Sequence, residues 1–120
     1  MEAIHREGLC KNIGISNLTL QMVREVLNYA TIKPAVLQVE MHPYLTQANL
    51  LRVCREEGVA VMAFSNFGSL SYVALDLQGD IEPLIRLPAV TEIAARHSKT
   101  PPQVLLRWAV QRGTTAIPKS

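Results

Sequence analysis

Charge of either sign is scarce in this chain. Lys and Arg number 12 and Asp and Glu 10, leaving a net charge of +2 over 120 residues. The basic residues are scattered, so the cationic stripe of a nucleic-acid-binding surface is missing. Cysteine is nearly absent: Cys10 and Cys54 lie far apart, the second in a helical pattern. They read as reduced thiols of a cytoplasmic protein rather than as a disulfide framework. No apolar run approaches the roughly 18 residues of a membrane-spanning helix. Met1-Glu2-Ala3-Ile4-His5-Arg6-Glu7 lacks the apolar stretch of a secretory leader, and none is expected. No G-x-G-x-x-G follows any predicted strand, and the His-carboxylate spacing of a metal site is absent.

What remains is a chain that is 48% apolar, enough for a hydrophobic core and against intrinsic disorder. Its periodicity alternates. Residues 1–8 have a polar helical pattern. A short apolar run, Asn12 to Ser16, precedes Leu20, Val23, Val26 and Leu27 at helical spacing, with Thr19 placed to cap them. Lys33-Pro34 breaks that helix, and Ala35 to Met41 reads as a strand. Gln47 to Glu57 is helical with Leu50, Leu51 and Cys54 on one face, and Gly58 suits the left-handed position that ends it. Val59 to Phe64 is an apolar strand. Residues 65–87 are mostly irregular, too long for an idle connection. Pro88 to His97 is helical. Thr100-Pro101 then starts a helix with the stripe Val104, Leu105, Trp108 and Ala109, Gly113 stops it, and Thr114 to Pro118 is a last strand.

Strands separated by helices predict parallel pairing through right-handed crossovers, in a doubly wound sheet or a barrel. In Ala35–Met41, Gln38 and Glu40 share one face and Leu37, Val39 and Met41 the other. Central parallel strands are normally apolar on both faces, so the two polar groups mark either a site or a solvated strand end. Ser16-Asn17, Ser65-Asn66 and Lys119-Ser120 likewise follow where a strand stops. Parallel neighbours would gather these groups on one rim.

At these residues the chain resembles a known family. Lys11-Asn12-Ile13-Gly14-Ile15-Ser16-Asn17 resembles the G-I-S-N strand end of aldo-keto reductases. Lys33-Pro34-Ala35-Val36-Leu37-Gln38-Val39-Glu40-Met41-His42-Pro43-Tyr44-Leu45 resembles their K-P-A-x-x-Q-x-E-x-H-P-Y-L segment. Thr100 to Trp108, Gln111-Arg112-Gly113 and Ile117-Pro118-Lys119-Ser120 are similar to the penultimate helix and last barrel strand. Ala30 to Gln38, Phe64-Ser65-Asn66-Phe67-Gly68 and Ser71-Tyr72 look most like the xylose (aldose) reductase branch. The resemblance implies an α/β fold, a partial (β/α)8 TIM barrel of about strands five to eight with their helices. Residues 1–120 would form a single segment, the C-terminal half of a barrel that takes about 200–250 residues or more when whole.

The resemblance also implies roles. Ser16, Asn17 and Gln38 would hold the carboxamide of NADPH, or of NADH as in some members. Asn and Gln suit an amide because each offers donor and acceptor. The bland alternative has Ser16 and Asn17 capping the following helix. Phe64 stands where the family usually stacks a tyrosine on the nicotinamide, and it keeps the aromatic face. Ser65, Phe67 and Ser69 match the loop over the pyrophosphate, unless the loop is a plain connector. Asn66 departs from a usual proline, and Leu18 from a usual aromatic. Lys119 and Ser120 match groups holding the 2′-phosphate, or are solvated terminal residues. His42 and Tyr44 belong to the H-P-Y turn, which packs and caps; His5 and His97 read as surface residues.

The family's catalytic Asp, Tyr, Lys and His set lies in the barrel half that these residues do not match, so no catalytic residue is assigned here. The leading expectation is a segment of an NAD(P)H-dependent oxidoreductase that reduces aldehydes or xylose-like aldoses. The alternative is an inactive half-barrel that binds nucleotide or serves as an assembly or regulatory partner. Open strand edges would recruit an N-terminal half or a second copy. No nucleic acid or membrane partner is expected.

Overall fold

This computed structural model describes residues 1–68 and 79–118. Along the chain run α1 (Glu2–Arg6), β1 (Gly14–Ser16), α2 (Leu20–Tyr29), β2 (Val36–Glu40), α3 (Ala48–Glu56) and β3 (Ala60–Phe64). They are followed by a 3-10 turn (Leu84–Arg86), α4 (Pro88–Arg96), α5 (Pro101–Gln111) and β4 (Thr115–Ile117). The order is the one the periodicity predicts, with ends trimmed by a residue or two. The strands form one sheet in the order β1-β2-β3-β4. β1 and β2 pair in parallel with Gly14 opposite Val36 and Ser16 opposite Gln38. A helix between sequential parallel strands is what their connection requires.

The chain forms two compact units, Met1–Val39 with Gln47–Met62 and Glu40–Thr46 with Ala63–Ser120.

In the first unit, α2 packs on α3. Val23 of α2, Leu50, Leu51, Val53 and Cys54 of α3 and Leu37 and Val39 of β2 are buried. α2 begins at Thr19, whose hydroxyl accepts the N–H of Met22 at 3.4 Å. α3 starts at Gln47 in a left-handed conformation without a side-chain cap, which the sequence does not announce. It ends at Gly58, whose φ of +69° fills the predicted left-handed role. The Glu2 carboxylate accepts the N–H groups of Thr31 and Ile32 at 2.8 and 3.0 Å. α1 is thereby tied to the turn ahead of β2, and those hydrogen bonds, Ile32 first, lower the Glu2 pKa. The Lys33 ammonium donates to the Glu57 carbonyl and meets its carboxylate at 3.3 Å. His5 corrects an expectation: it is half-buried rather than a surface residue, and its buried Nδ1 has no partner among the described residues. His97 is exposed as expected.

In the second unit, α4 packs on α5 and the 3-10 turn packs on both. Leu84, Val90 and Leu105 form a buried cluster, with Phe67, Ile85, Leu87 and Val104 packed against it. Full burial of a leucine contributes about 1.5–3 kcal/mol, so Leu84 and Leu105 are its main supports. The turn at Leu84–Arg86 refines the expectation of an irregular 65–87. Arg86 N–H bonds the Pro83 carbonyl at 2.8 Å, and the turn drives Leu84 inward. α5 opens with a capping box: Thr100 Oγ1 accepts the Gln103 N–H, and Gln103 Oε1 accepts the Thr100 N–H at 2.9 Å. At its far end Arg112 lies over the Trp108 ring, 4.8 Å from the centroid, and donates to the Thr46 carbonyl at 3.0 Å.

Candidate functional site

The first group of site residues stands at the end of β1 and beside it in the middle of β2. The carbonyl of Gln38 receives two hydrogen bonds, from the Ser16 hydroxyl at 3.0 Å and the Asn17 N–H at 2.9 Å. Asn17 adopts φ +56°, a left-handed geometry that asparagine tolerates better than most residues. This turns the chain out of β1 toward Thr19. Because Thr19 caps α2, neither Ser16 nor Asn17 does, and the bland alternative for them does not hold. Both are exposed.

Gln38 and Glu40 lie half-buried on one face of β2 while Leu37, Val39 and Met41 are buried, as the alternation predicts. The Gln38 Nε2 donates to Met62 Sδ at 3.2 Å, a weak acceptor. Gly14 explains how β1 comes so close to β2. A Cβ there would lie 2.6 Å from Val36 Cγ1 and 3.1 Å from the Val36 carbonyl oxygen. The glycine of the G-I-S-N run is therefore set by strand approach rather than by φ.

The second group follows β3. Met41 N–H bonds the Phe64 carbonyl at 3.2 Å. Phe64 and Ser65 are half-buried. Ser65 takes φ +51°, and the Gly68 N–H closes a turn onto the Ser65 carbonyl at 2.8 Å. Phe67 packs against the Leu84, Val90 and Leu105 cluster, which anchors this turn. Gly68, at φ +67°, leaves no room for a side chain: a Cβ would lie 2.7 Å from Leu84 Cδ1. Asn66, picked out in the sequence only as a departure, is 1% exposed, and among the described residues neither of its amide atoms has a hydrogen-bond partner. No sequence signal marks that burial. Ser69, Ser71, Tyr72, Lys119 and Ser120 lie outside the described residues.

His42 and Tyr44 have the structural work expected of an H-P-Y turn. His42 and Leu45 exchange backbone hydrogen bonds of 3.2 and 2.8 Å, and the Tyr44 hydroxyl donates to the Glu82 carbonyl at 3.0 Å. The buried His42 ring meets Glu40 Oε1 at 3.1 Å through Nε2. Among the described residues no group of three or more His, Cys, Asp or Glu is placed to hold a metal. No described helix is long and apolar enough to cross a membrane. Cys10 and Cys54 are free thiols, and burial pushes the Cys54 thiol pKa up.

The model of the aldo/keto reductase family matches residues 1–120. The chain is 49% identical over its full length to a probable NAD(P)H-dependent D-xylose reductase of Emericella nidulans, of which it covers 38%. It is 48% identical to the NAD(P)H-dependent D-xylose reductase of Aspergillus niger, again covering 38%. The solved aldose reductase of Schistosoma japonicum superposes on the whole chain with a TM-score of 0.85 at 38% identity, over 35% of that protein. The chain thus spans somewhat over a third of these relatives' length, and its α/β fold corresponds to part of a barrel. The chain belongs to the aldo/keto reductase family.

Proposed function

We propose that these residues form the cofactor-holding part of an NAD(P)H-dependent reductase of aldehydes or xylose-like aldoses. Ser16, Asn17 and Gln38 hold the nicotinamide carboxamide, and Phe64 stacks on its ring. Ser65, Phe67 and Ser69 carry the loop over the pyrophosphate, and Lys119 and Ser120 hold the 2′-phosphate. The cofactor supplies hydride; the chain's own residues bind and orient it, which is catalysis by positioning.

The observation that carries this reading is the left-handed Asn17, exposed and relieved of helix capping by Thr19. Its amide is free of any duty in α2, and it stands beside Gln38, whose carbonyl fixes the turn. Two amide side chains on neighbouring residues of paired chain segments fit a carboxamide, which needs a donor and an acceptor at once. Ser65 and Gly68, both left-handed, bound the turn that would approach phosphate.

The relatives, NAD(P)H-dependent D-xylose reductases by name, support the cofactor and the substrate class. Because the family's proton-transfer set has no counterpart in residues 1–120, these residues by themselves would bind cofactor without turning substrate over. Loss of a general acid alone typically costs about 10²- to 10⁴-fold in rate. Thermal shift with NADPH tests the reading: at 100 times Kd, binding stabilises by about 2.7 kcal/mol. No shift at millimolar NADPH, or steady NADPH oxidation with xylose by the 120 residues alone, contradicts it.

A second reading concerns assembly. Among the described residues the sheet order leaves β1 and β4 as end strands. Gly14 and Ser16 on β1, and Thr115 and Ile117 on β4, are exposed. Bare strand edges recruit further strands, so the chain pairs either with an N-terminal half-barrel or with a second copy. Sedimentation of the isolated chain as a clean monomer that melts cooperatively would overturn this.

A further inference from the structure

The α4–α5 pair carries a groove that the cofactor reading does not use. Its volume is about 630 Å³, within the roughly 300–1,000 Å³ usual for small-molecule sites. Ile93, Val104 and Trp108 supply apolar and aromatic walls, and His97, Lys99 and Arg107 stand around them. Among the described residues no Asp or Glu lines it. Residues 88–118 hold four Lys or Arg against a single acid, Glu92, so this segment is locally cationic for want of acids in a chain of nearly balanced charge. Lys99 and Arg107 are exposed, and no described carboxylate pairs with either.

The backbone of the groove is fixed by contacts that do not use those charges. The Thr100–Gln103 capping box satisfies the first turn of α5, and Val90 and Leu105 bury the facing sides of the two helices. Arg112 is spent on the Trp108 ring and the Thr46 carbonyl. What is left is a preformed apolar trough with two cationic side chains at its edge.

We propose that this groove binds a small amphiphilic carboxylate, with its apolar body along Ile93, Val104 and Trp108 and its head between Lys99 and Arg107. An apolar body alone would not select this surface, and a free anion would leave the trough wet; together the two features specify the ligand class. A guanidinium can grip a carboxylate through two parallel N–H bonds, while an ammonium acts as a point charge.

Decanoate, kept below its micelle concentration, is a suitable probe, because Trp108 is the sole tryptophan and reports on the groove wall. We expect a saturable change in Trp108 emission, a shift of its indole N–H resonance, and at least a fivefold weaker affinity in Lys99→Gln and Arg107→Gln. Decylammonium, of equal length and opposite charge, gives no saturable change. Far-UV circular dichroism confirms that both variants are folded, as substitutions at exposed positions should be. Unsaturable binding, equal response to the two amphiphiles, or unchanged affinity in both variants overturns the proposal. Displacement of decanoate by NADPH also overturns it, since the probe would then be reporting a nucleotide site. Failure of NADPH to bind, with decanoate still bound, counts against the cofactor reading alone.

Discussion

The backbone N–H of Asn17 reaches the carbonyl of Gln38 at 2.9 Å from a left-handed conformation. That hydrogen bond extends the β1–β2 ladder one residue beyond Ser16. Fold and proposed chemistry can be separated at this residue. Asn17→Gly keeps the left-handed backbone and removes the amide, whereas Asn17→Ala also strains the backbone by about 1–2 kcal/mol. Asn17→Gly should melt within a degree or two of the parent and bind NADPH about 3- to 10-fold more weakly, the worth of one hydrogen bond. Calorimetric titration with paired melting curves checks both, and unchanged affinity would remove Asn17 from the site.

Thr19→Ala is the complementary case. The hydroxyl that accepts from Met22 caps α2, and its loss should cost about 1 kcal/mol of stability. NADPH affinity should not move. A thermal melt beside the same titration distinguishes a cap from a ligand.

Gly14→Ala tests the close approach of β1 to β2. The added Cβ would meet both the side chain and the carbonyl of Val36. Overpacking of this kind costs about 1–3 kcal/mol, because the stiff β-branched Val36 side chain must move and its carbonyl must give slightly. Chemical denaturation should show the loss as a lower midpoint with an unchanged slope.

The two cysteines should react unequally. Burial raises the Cys54 pKa and keeps the thiol protonated, while Cys10 is only partly buried. Thiolate is the reactive form, so iodoacetamide at neutral pH should label Cys10 and spare Cys54 until the chain unfolds. Peptide mass mapping reads this directly.

Acid should loosen the first unit through Glu2. Its carboxyl pKa is lowered in the folded chain by the N–H groups of Ile32 and Thr31 and by Arg6. A depressed folded value contributes stability above the unfolded pKa, and that contribution disappears as pH falls through the folded one. Glu2→Gln should therefore melt lower than the parent near neutral pH and converge with it in acid.

Much of this molecule is written locally. Thr19, Gly58 and the Thr100–Gln103 pair mark helix ends because capping and left-handed geometry depend on a few adjacent residues. The alternation from Ala35 to Met41 sets the two faces of β2 for the same reason. The motifs around Ser16, Gln38 and Thr100 were enough to place the chain in its family. Several other features depend on residues distant in the chain. The steric need for Gly14 arises from Val36, 22 positions away. The burial of Asn66 and the half-burial of His5 come from packing that periodicity does not record. The 3-10 turn at Leu84–Arg86 exists because α4 and α5 offer Leu84 an apolar seat. Sequence by itself determined the order of elements, the caps at Thr19 and Thr100 and the polar groups near strand ends, all products of short-range sterics and hydrogen bonding. Tertiary structure decided which of those polar groups are free and which are committed, because only packing brings residues far apart in the chain within reach of each other.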